Sequence, residues 1–213
     1  MLFKNRTDAG KKLAEHLTEF AGRGDVVVLA LPRGGVPVAY EVSKTLDAPM
    51  DVFVVRKIGV PGREELAMGA IASGGVRIIN EALAKRYGVS EKDIAAAAAQ
   101  EQLVLENRER KYRMDRRSID FKGKIVIVVD DGMATGSTMH AAVLALKSLK
   151  PSEIVVAAPV AAKEACETLE NRADRLVCLE TPVPFIAVGN WYGDFSKTTD
   201  EEVLKYMKKA KKI

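Results

Sequence analysis

Residues Ile125 to Val129 are five consecutive β-branched side chains, followed at once by Asp130 and Asp131 and then by the turn Ala134-Thr-Gly-Ser-Thr138. A strand with no polar face predicts burial on both sides, and therefore a parallel sheet covered by helices. Its acids then emerge at the carboxyl end, where open α/β sheets place their ligands. Carboxylates there can accept bonds from sugar hydroxyls. Backbone amides and hydroxyls from Ala134, Thr135, Gly136, Ser137 and Thr138 at a helix start attract a phosphate through unpaired donors and the helix dipole. The order is diol binder first, phosphate binder second. A plain helix-capping role for the two aspartates is the bland alternative. A P-loop is excluded, because Ser137 stands after Gly136 where that motif needs lysine.

The rest of the chain repeats the strand and helix rhythm. Ala9, Leu13, Leu17 and Phe20 fall at helical spacing and predict a first helix over Thr7 to Ala21, with Thr7 as its cap. Strands are expected at Val26 to Leu31, Asp51 to Val55, Lys124 to Val129, Ile154 to Ala158 and Arg175 to Leu179. Helices are expected at Val36 to Leu46, Ser137 to Leu149 and Ala161 to Asn171, with a lysine-rich helix at the carboxyl end. Such alternation implies a doubly wound, mostly parallel α/β sheet with helices on both faces, in one domain over residues 1–213. Two segments interrupt it. Gly59 to Gly75 reads as a loop with a short β-ribbon, one reading of which is a lid. Residues 80–117 read as a helical insertion, with a short helix to Tyr87 and a long charged helix from Ser90 and Asp93 that packs or makes a subunit contact.

With 213 residues and 47% hydrophobic content, the chain can bury a full core. The net charge of +4 is concentrated in two places, five lysines after Val203 and the cluster Arg108, Arg110, Lys111, Arg113, Arg116 and Arg117. Both fit solvated helices, and no nucleic-acid motif accompanies them. No apolar run is long enough to span a bilayer, and MLFKNRTDAG carries no signal-peptide stretch, so a cytoplasmic protein is expected. Cys166 and Cys178 lack metal-ligand spacing and read as small buried residues. His16 and His140 stand alone on helical patterns and receive no role.

The strand, the acid pair and the small-Thr-Gly-x-Thr turn resemble the signature by which type I phosphoribosyltransferases bind 5-phosphoribosyl-1-pyrophosphate (PRPP). Leu31-Pro-Arg-Gly-Gly35, Arg56-Lys-Ile-Gly-Val-Pro-Gly62 and Ala187-Val-Gly-Asn-Trp-Tyr-Gly-Asp-Phe195 further resemble a group of phosphoribosyltransferase-like proteins. The resemblance implies that family's fold, with a lid at about 59–75 and a hood built from the amino terminus and about 181–199. It also implies transfer of phosphoribosyl from PRPP to a nitrogenous base with release of pyrophosphate, Mg²⁺ dependence and a homodimer. Sensing of PRPP or a nucleotide without transfer is the alternative, since this fold also serves in regulators.

The family's site residues carry over one by one. Ala134 to Thr138 match the 5-phosphate turn, and Asp130 and Asp131 the acids that face ribose and Mg²⁺. After the first strand, Arg33, Gly34 and Gly35 match a pyrophosphate loop whose unusual cis peptide is expected at Arg33–Gly34. Arg56 and Lys57 match the cations leading into the lid, although Arg63 stands where relatives carry a lid lysine. Asp130, Asp131, Lys57 and Arg33 are the expected catalytic residues. Glu64 and Glu65 sit in the lid, and no sequence feature gives them a role. For the acceptor, Lys163 falls near a base-contacting lysine, and Phe185, Trp191, Tyr192 and Asp194 resemble a purine-binding stretch. The aromatics can equally be hood packing. Ala134 replaces the aspartate of 6-oxopurine enzymes, which argues against an ordinary hypoxanthine-guanine acceptor.

Overall fold

The computed structural model describes residues 2–113 and 119–212, apart from the side chains of Glu64 and Glu65; Arg116 and Arg117 lie outside it. Five strands, β1 (Val26–Ala30), β2 (Met50–Val52), β6 (Ile125–Val129), β7 (Glu153–Val160) and β8 (Arg175–Glu180), form a sheet of order β2-β1-β6-β7-β8. Every pairing in it is parallel. Alternation decides which core each residue joins. Val26, Val28 and Ala30 share one cluster with Ile125, Ile127 and Val129, under α1 (Arg6–Glu15), α2 (Gly35–Leu46) and α7 (Asp200–Lys209). Val27, Leu29, Val126 and Val128 face the opposite way, under α5 (Ser137–Ser148) and α6 (Lys163–Glu170). This is the doubly wound α/β arrangement, and its residues without a polar face are the ones buried on both sides. Among the described residues, no helix is long and apolar enough to cross a membrane.

Three expectations are corrected. The first helix is capped by Asn5, which accepts from the Asp8 amide at 2.9 Å, and it ends at Glu15. A separate 3₁₀ turn over Thr18–Phe20 then keeps Leu17 and Phe20 buried on the same side. The run Asp51 to Val55 is not one strand. Phe53 enters the sheet core and Val54 the core of a second layer, so the chain leaves the sheet after Val52. The expected loop with a short ribbon is a three-stranded antiparallel sheet, β3 (Val55–Val60), β4 (Arg63–Ala72) and β5 (Val76–Ile79). Arg56 and Lys57 therefore lie within β3, opposite Ile71 and Ala70, and not in a loop.

The insertion forms α3 (Glu81–Arg86) and α4 (Glu91–Arg113). Ala98, Leu105 and Tyr112 recur every seven residues as the buried stripe of α4, while Leu103 faces solvent. That stripe fastens α4 to the ribbon at one end. At the other, Arg113 meets Asp51 of β2 at 2.9 Å, an aspartate with only 1% exposure.

Candidate functional site

β1 has β2 on one side and β6 on the other, so the loops after β1 and β6 diverge from a common point. Such a switch point opens a crevice at the carboxyl ends of the strands. Leu31 donates its amide to the Val129 carbonyl at 2.9 Å, which carries the sheet pairing into the loops. A Cβ on Gly35 would stand 2.6 Å from that carbonyl and 3.0 Å from Asp130 Cα. On Gly34 it would stand 2.0 Å from Asp131 Oδ2. The two glycines thus let the first loop close against the acid pair. The non-proline cis peptide of this loop is Pro32–Arg33, one bond earlier than expected.

Asp131 is held from two sides. Its Oδ2 accepts from Arg6 Nε at 2.8 Å, and its carbonyl accepts from the Tyr192 hydroxyl at 2.5 Å. Arg6 also donates Nη1 to the Ser196 carbonyl at 2.7 Å and lies 3.9 Å over the Phe195 ring. Asp130 accepts the Asp131 amide at 2.9 Å. Desolvation, and then the charge of Asp131, holds the Asp130 carboxyl well above the usual carboxylate range. Burial, reinforced by the same charge, raises the Tyr192 phenol and keeps it a donor.

Next to the acids, a cavity of about 230 Å³ is lined by Asp130, Gly132, the turn from Met133 to Met139, and Val188. Gly136 takes φ +67 at the start of α5 and, as a glycine, brings no capping side chain of its own to the helix amides. Thr135 Oγ1 lies 3.1 Å from Ser137 Oγ and 3.4 Å from the Ser137 amide. Helix-terminal donors and hydroxyls therefore ring a small, exposed pocket with the chemistry to take a phosphate. His140, one turn into α5, is lowered by burial and by the charge of Arg172.

The cations are distributed differently from the acids. Arg33 Nη1 stands 3.6 Å from Asp200 in the first turn of α7. Asp200 in turn accepts from Lys111 Nζ at 2.6 Å and from the Tyr112 hydroxyl. Those bonds, Lys111 first, push its carboxyl down to about 2, while burial and then Asp200 push the Tyr112 phenol up to about 12. Arg56 Nε meets Glu101 of α4 at 2.6 Å. Arg56 and Lys57 line a separate cavity of about 650 Å³ with Gly59 to Gly62, Asp93, Gln100 and Glu101. It shares no lining residue with the cavity at the acids.

The hood segment covers the acids. Phe3 pairs with Tyr192, and the Gly193 amide donates to the Phe3 carbonyl at 2.8 Å. Val188 closes on Gly132, whose Cβ would stand 2.4 Å from it. Tyr192 is buried between Phe3 and Phe195, so packing describes it better than stacking on a ligand. Phe185 and Trp191 are half-buried with ring centres 6.4 Å apart, and Trp191 Nε1 is buried with no hydrogen-bond partner among the described residues. Lys163 is exposed with Glu167 at 3.8 Å, and exposed Asp194 accepts the Ser196 amide at 2.9 Å. Val183 and Ile186 stand out at 81% and 75% exposure on the same segment.

Sequence reasoning missed Arg6, Val188, Glu101, Lys111, Tyr112 and Asp200. Val188 lay within the recognised Ala187 to Phe195 stretch and could have been found there. The others carry no local signal, because a cation or acid on a helix face reads as solvated until the partner is known.

A model of the phosphoribosyl transferase domain matches residues 2–192. A Mycobacterium tuberculosis (strain H37Rv) protein provisionally named a phosphoribosyl transferase is 42% identical over 209 residues, 98% of this chain and 47% of that protein. The chain thus spans about half the length of the curated relatives it matches. The solved structure of TT1426 from Thermus thermophilus is 43% identical, covers 99% of both chains and superposes with a TM-score of 0.88.

Proposed function

This chain belongs to the phosphoribosyl transferase family, and from that premise we propose that it transfers the 5-phosphoribosyl group of PRPP to a nitrogenous base with release of pyrophosphate. The observation that carries this reading is the closure of Gly34 and Gly35 on Asp130 and Asp131 at the switch point, beside a phosphate-sized pocket. In it, Ala134 to Thr138 hold the 5-phosphate and the acid pair faces the ribose hydroxyls. Arg33, Gly34, Gly35, Arg56 and Lys57 receive the pyrophosphate. The reaction builds positive charge on the ribose ring and negative charge on the leaving group. Asp130 and Asp131 stabilise the first, and Arg33 and Lys57 the second.

Among the described residues no group of three or more histidine, cysteine or carboxylate side chains could cage a metal. Two carboxylates suit a hard cation that arrives on phosphate oxygens, and Asp130 and Asp131 would touch Mg²⁺ directly or through water. Mg²⁺ supplies neutralisation of the leaving phosphates. The ribbon from Gly59 to Gly75 would shield the activated sugar from water. Lys163, Phe185, Trp191, Tyr192 and Asp194 remain the proposed surroundings of the base, Tyr192 acting by packing the hood. A homodimer, by family resemblance, and a cytoplasmic location belong to the same proposal.

The test is pyrophosphate release from PRPP and Mg²⁺ over a panel of purines, pyrimidines and related heterocycles. Release with at least one base is expected. PRPP binding without release from any base would overturn transfer and leave PRPP sensing.

A further inference from the structure

The long helix α4 has no part in the chemistry proposed so far, yet it meets Arg56 directly and is linked to Arg33 through Asp200 of α7. At its middle Glu101 Oε2 sits 2.6 Å from Arg56 Nε. Near its end Lys111 and Tyr112 hold Asp200, and Asp200 stands 3.6 Å from Arg33 Nη1. The helix cannot slide freely, because its seven-residue stripe is buried and Arg113 is tied to Asp51 of the sheet. It is a fixed mount that sets one acid of its own, Glu101, on Arg56 and holds a second, Asp200 of α7, through Lys111 and Tyr112.

The contact at Arg56 is specific in its geometry. Glu101 takes Nε, the nitrogen nearest the side-chain stem, and no other partner of this guanidinium is found among the described residues. The two outer nitrogens carry no other bond among the described residues, and Arg56 lines a cavity together with Lys57, Gln100 and Glu101. An arginine carries five N–H donors in a planar fork, so one carboxylate at Nε fixes the plane without exhausting the donors.

We infer that Glu101 is a positioning residue: mounted on α4, it anchors Arg56 through Nε and presents the rest of the guanidinium to the pyrophosphate. This rests on the reading of Arg56 as a pyrophosphate ligand. A second, opposed effect makes the inference testable by sign. Glu101 is also a negative charge beside an anion site, and its removal alone would tighten pyrophosphate binding. Weaker binding by a variant that stays folded, and that disappears when Arg56 is absent, comes from lost orientation of the arginine, whose ordering must then be supplied by the ligand.

The experiment is calorimetric titration of Mg²⁺-pyrophosphate, and separately of PRPP with Mg²⁺, into wild type, E101A, R56A and the R56A/E101A double variant, with each melt recorded. E101A should weaken pyrophosphate binding about tenfold, while in the R56A background the same change should be neutral or tighten it. A conservative E101D variant should recover part of the loss. Equal weakening in both backgrounds, or tightening by E101A in the wild-type background, would overturn the positioning role. Wild-type protein that binds PRPP, with R56A unchanged in both titrations, would overturn the role while leaving PRPP binding intact. Binding of neither compound to wild type would overturn both this inference and the functional reading beneath it.

Discussion

Arg6 and Asp131 lie 125 positions apart in the chain and 2.8 Å apart in the fold. The pairing closes the first helix onto the second acid of the site, while the same guanidinium holds the Ser196 carbonyl and the Phe195 ring. Both side chains are mostly buried, at 11% and 13% exposure. Arg6→Ala would leave a largely desolvated carboxylate without its cation and release the hood from the amino-terminal helix. We expect a loss of about 1.5 to 3 kcal/mol in unfolding free energy, the range for hydrogen bonds to charged groups. Denaturant unfolding measures it, and a loss below about 0.5 kcal/mol, the ordinary range of surface substitutions, would contradict the structural role. Arg6→Lys should restore little, because a point ammonium cannot serve Nε and Nη partners in different directions.

Gly34→Ala should be far more damaging than its chemistry suggests. Its Cβ would sit 2.0 Å from Asp131 Oδ2, so the carboxylate must move and give up Arg6. Overpacking of this kind costs about 1 to 3 kcal/mol. PRPP affinity should fall with it. Gly24→Ala is the control, since nothing lies within 4 Å of its Cβ and its φ is ordinary. Comparable melts and affinities for the two variants would show that the first loop does not close on the acids.

The pairing of Asp200 makes a prediction in acid. Lys111, then Tyr112, hold its carboxyl down at about 2, below the ordinary 3.8. A depressed carboxyl favours the folded state above the unfolded value, and that contribution is lost as the folded group protonates. The stability difference between wild type and Asp200→Asn should therefore be constant above about pH 4 and shrink between pH 4 and pH 2. Because Asp200 is partly exposed, the difference should also diminish in high salt. A difference that persists unchanged at pH 2 would remove Asp200 from this account of the Lys111 and Arg33 cluster.

The parts of the molecule legible in the sequence are those whose cause is local. Ile125 to Thr138 announces its strand, its acids and its turn because each depends on neighbours within a few residues. The two-sided burial of β1 and β6 follows from runs without a polar face. Asp51 to Val55 reads as one strand because periodicity cannot tell that Phe53 and Val54 join different cores. Glu101 reads as a solvated acid because its partner Arg56 lies 45 positions away and meets it only once the ribbon packs on α4. Arg6 is hidden in the same way. Gly34 and Gly35 are legible in the sequence only as part of a ligand-binding loop, and the structure adds that what comes close to them is the aspartate pair.

The two cysteines should behave as inert thiols. Their sulfurs lie 3.4 Å apart between α6 and β8, and burial is the first cause pushing both thiols up. Thiolate is the reactive form, so alkylation should be slow in the native state. With iodoacetamide at about pH 8, modification of native protein should run roughly tenfold slower than in urea, or slower still. Equal rates would mean that the α6 and β8 packing opens readily.

Direct titration of PRPP with Mg²⁺ into wild type and into the Asp130→Asn/Asp131→Asn variant tests the donor site itself. Wild type should bind, and the variant should lose about two orders of magnitude in affinity while its circular dichroism stays that of the folded protein. Thr135→Val should fall between them, weakened by about 1 to 2 kcal/mol for a lost hydrogen bond to the charged phosphate. Equal PRPP affinity in wild type and the double variant would contradict the assignment of Asp130 and Asp131 to the ribose.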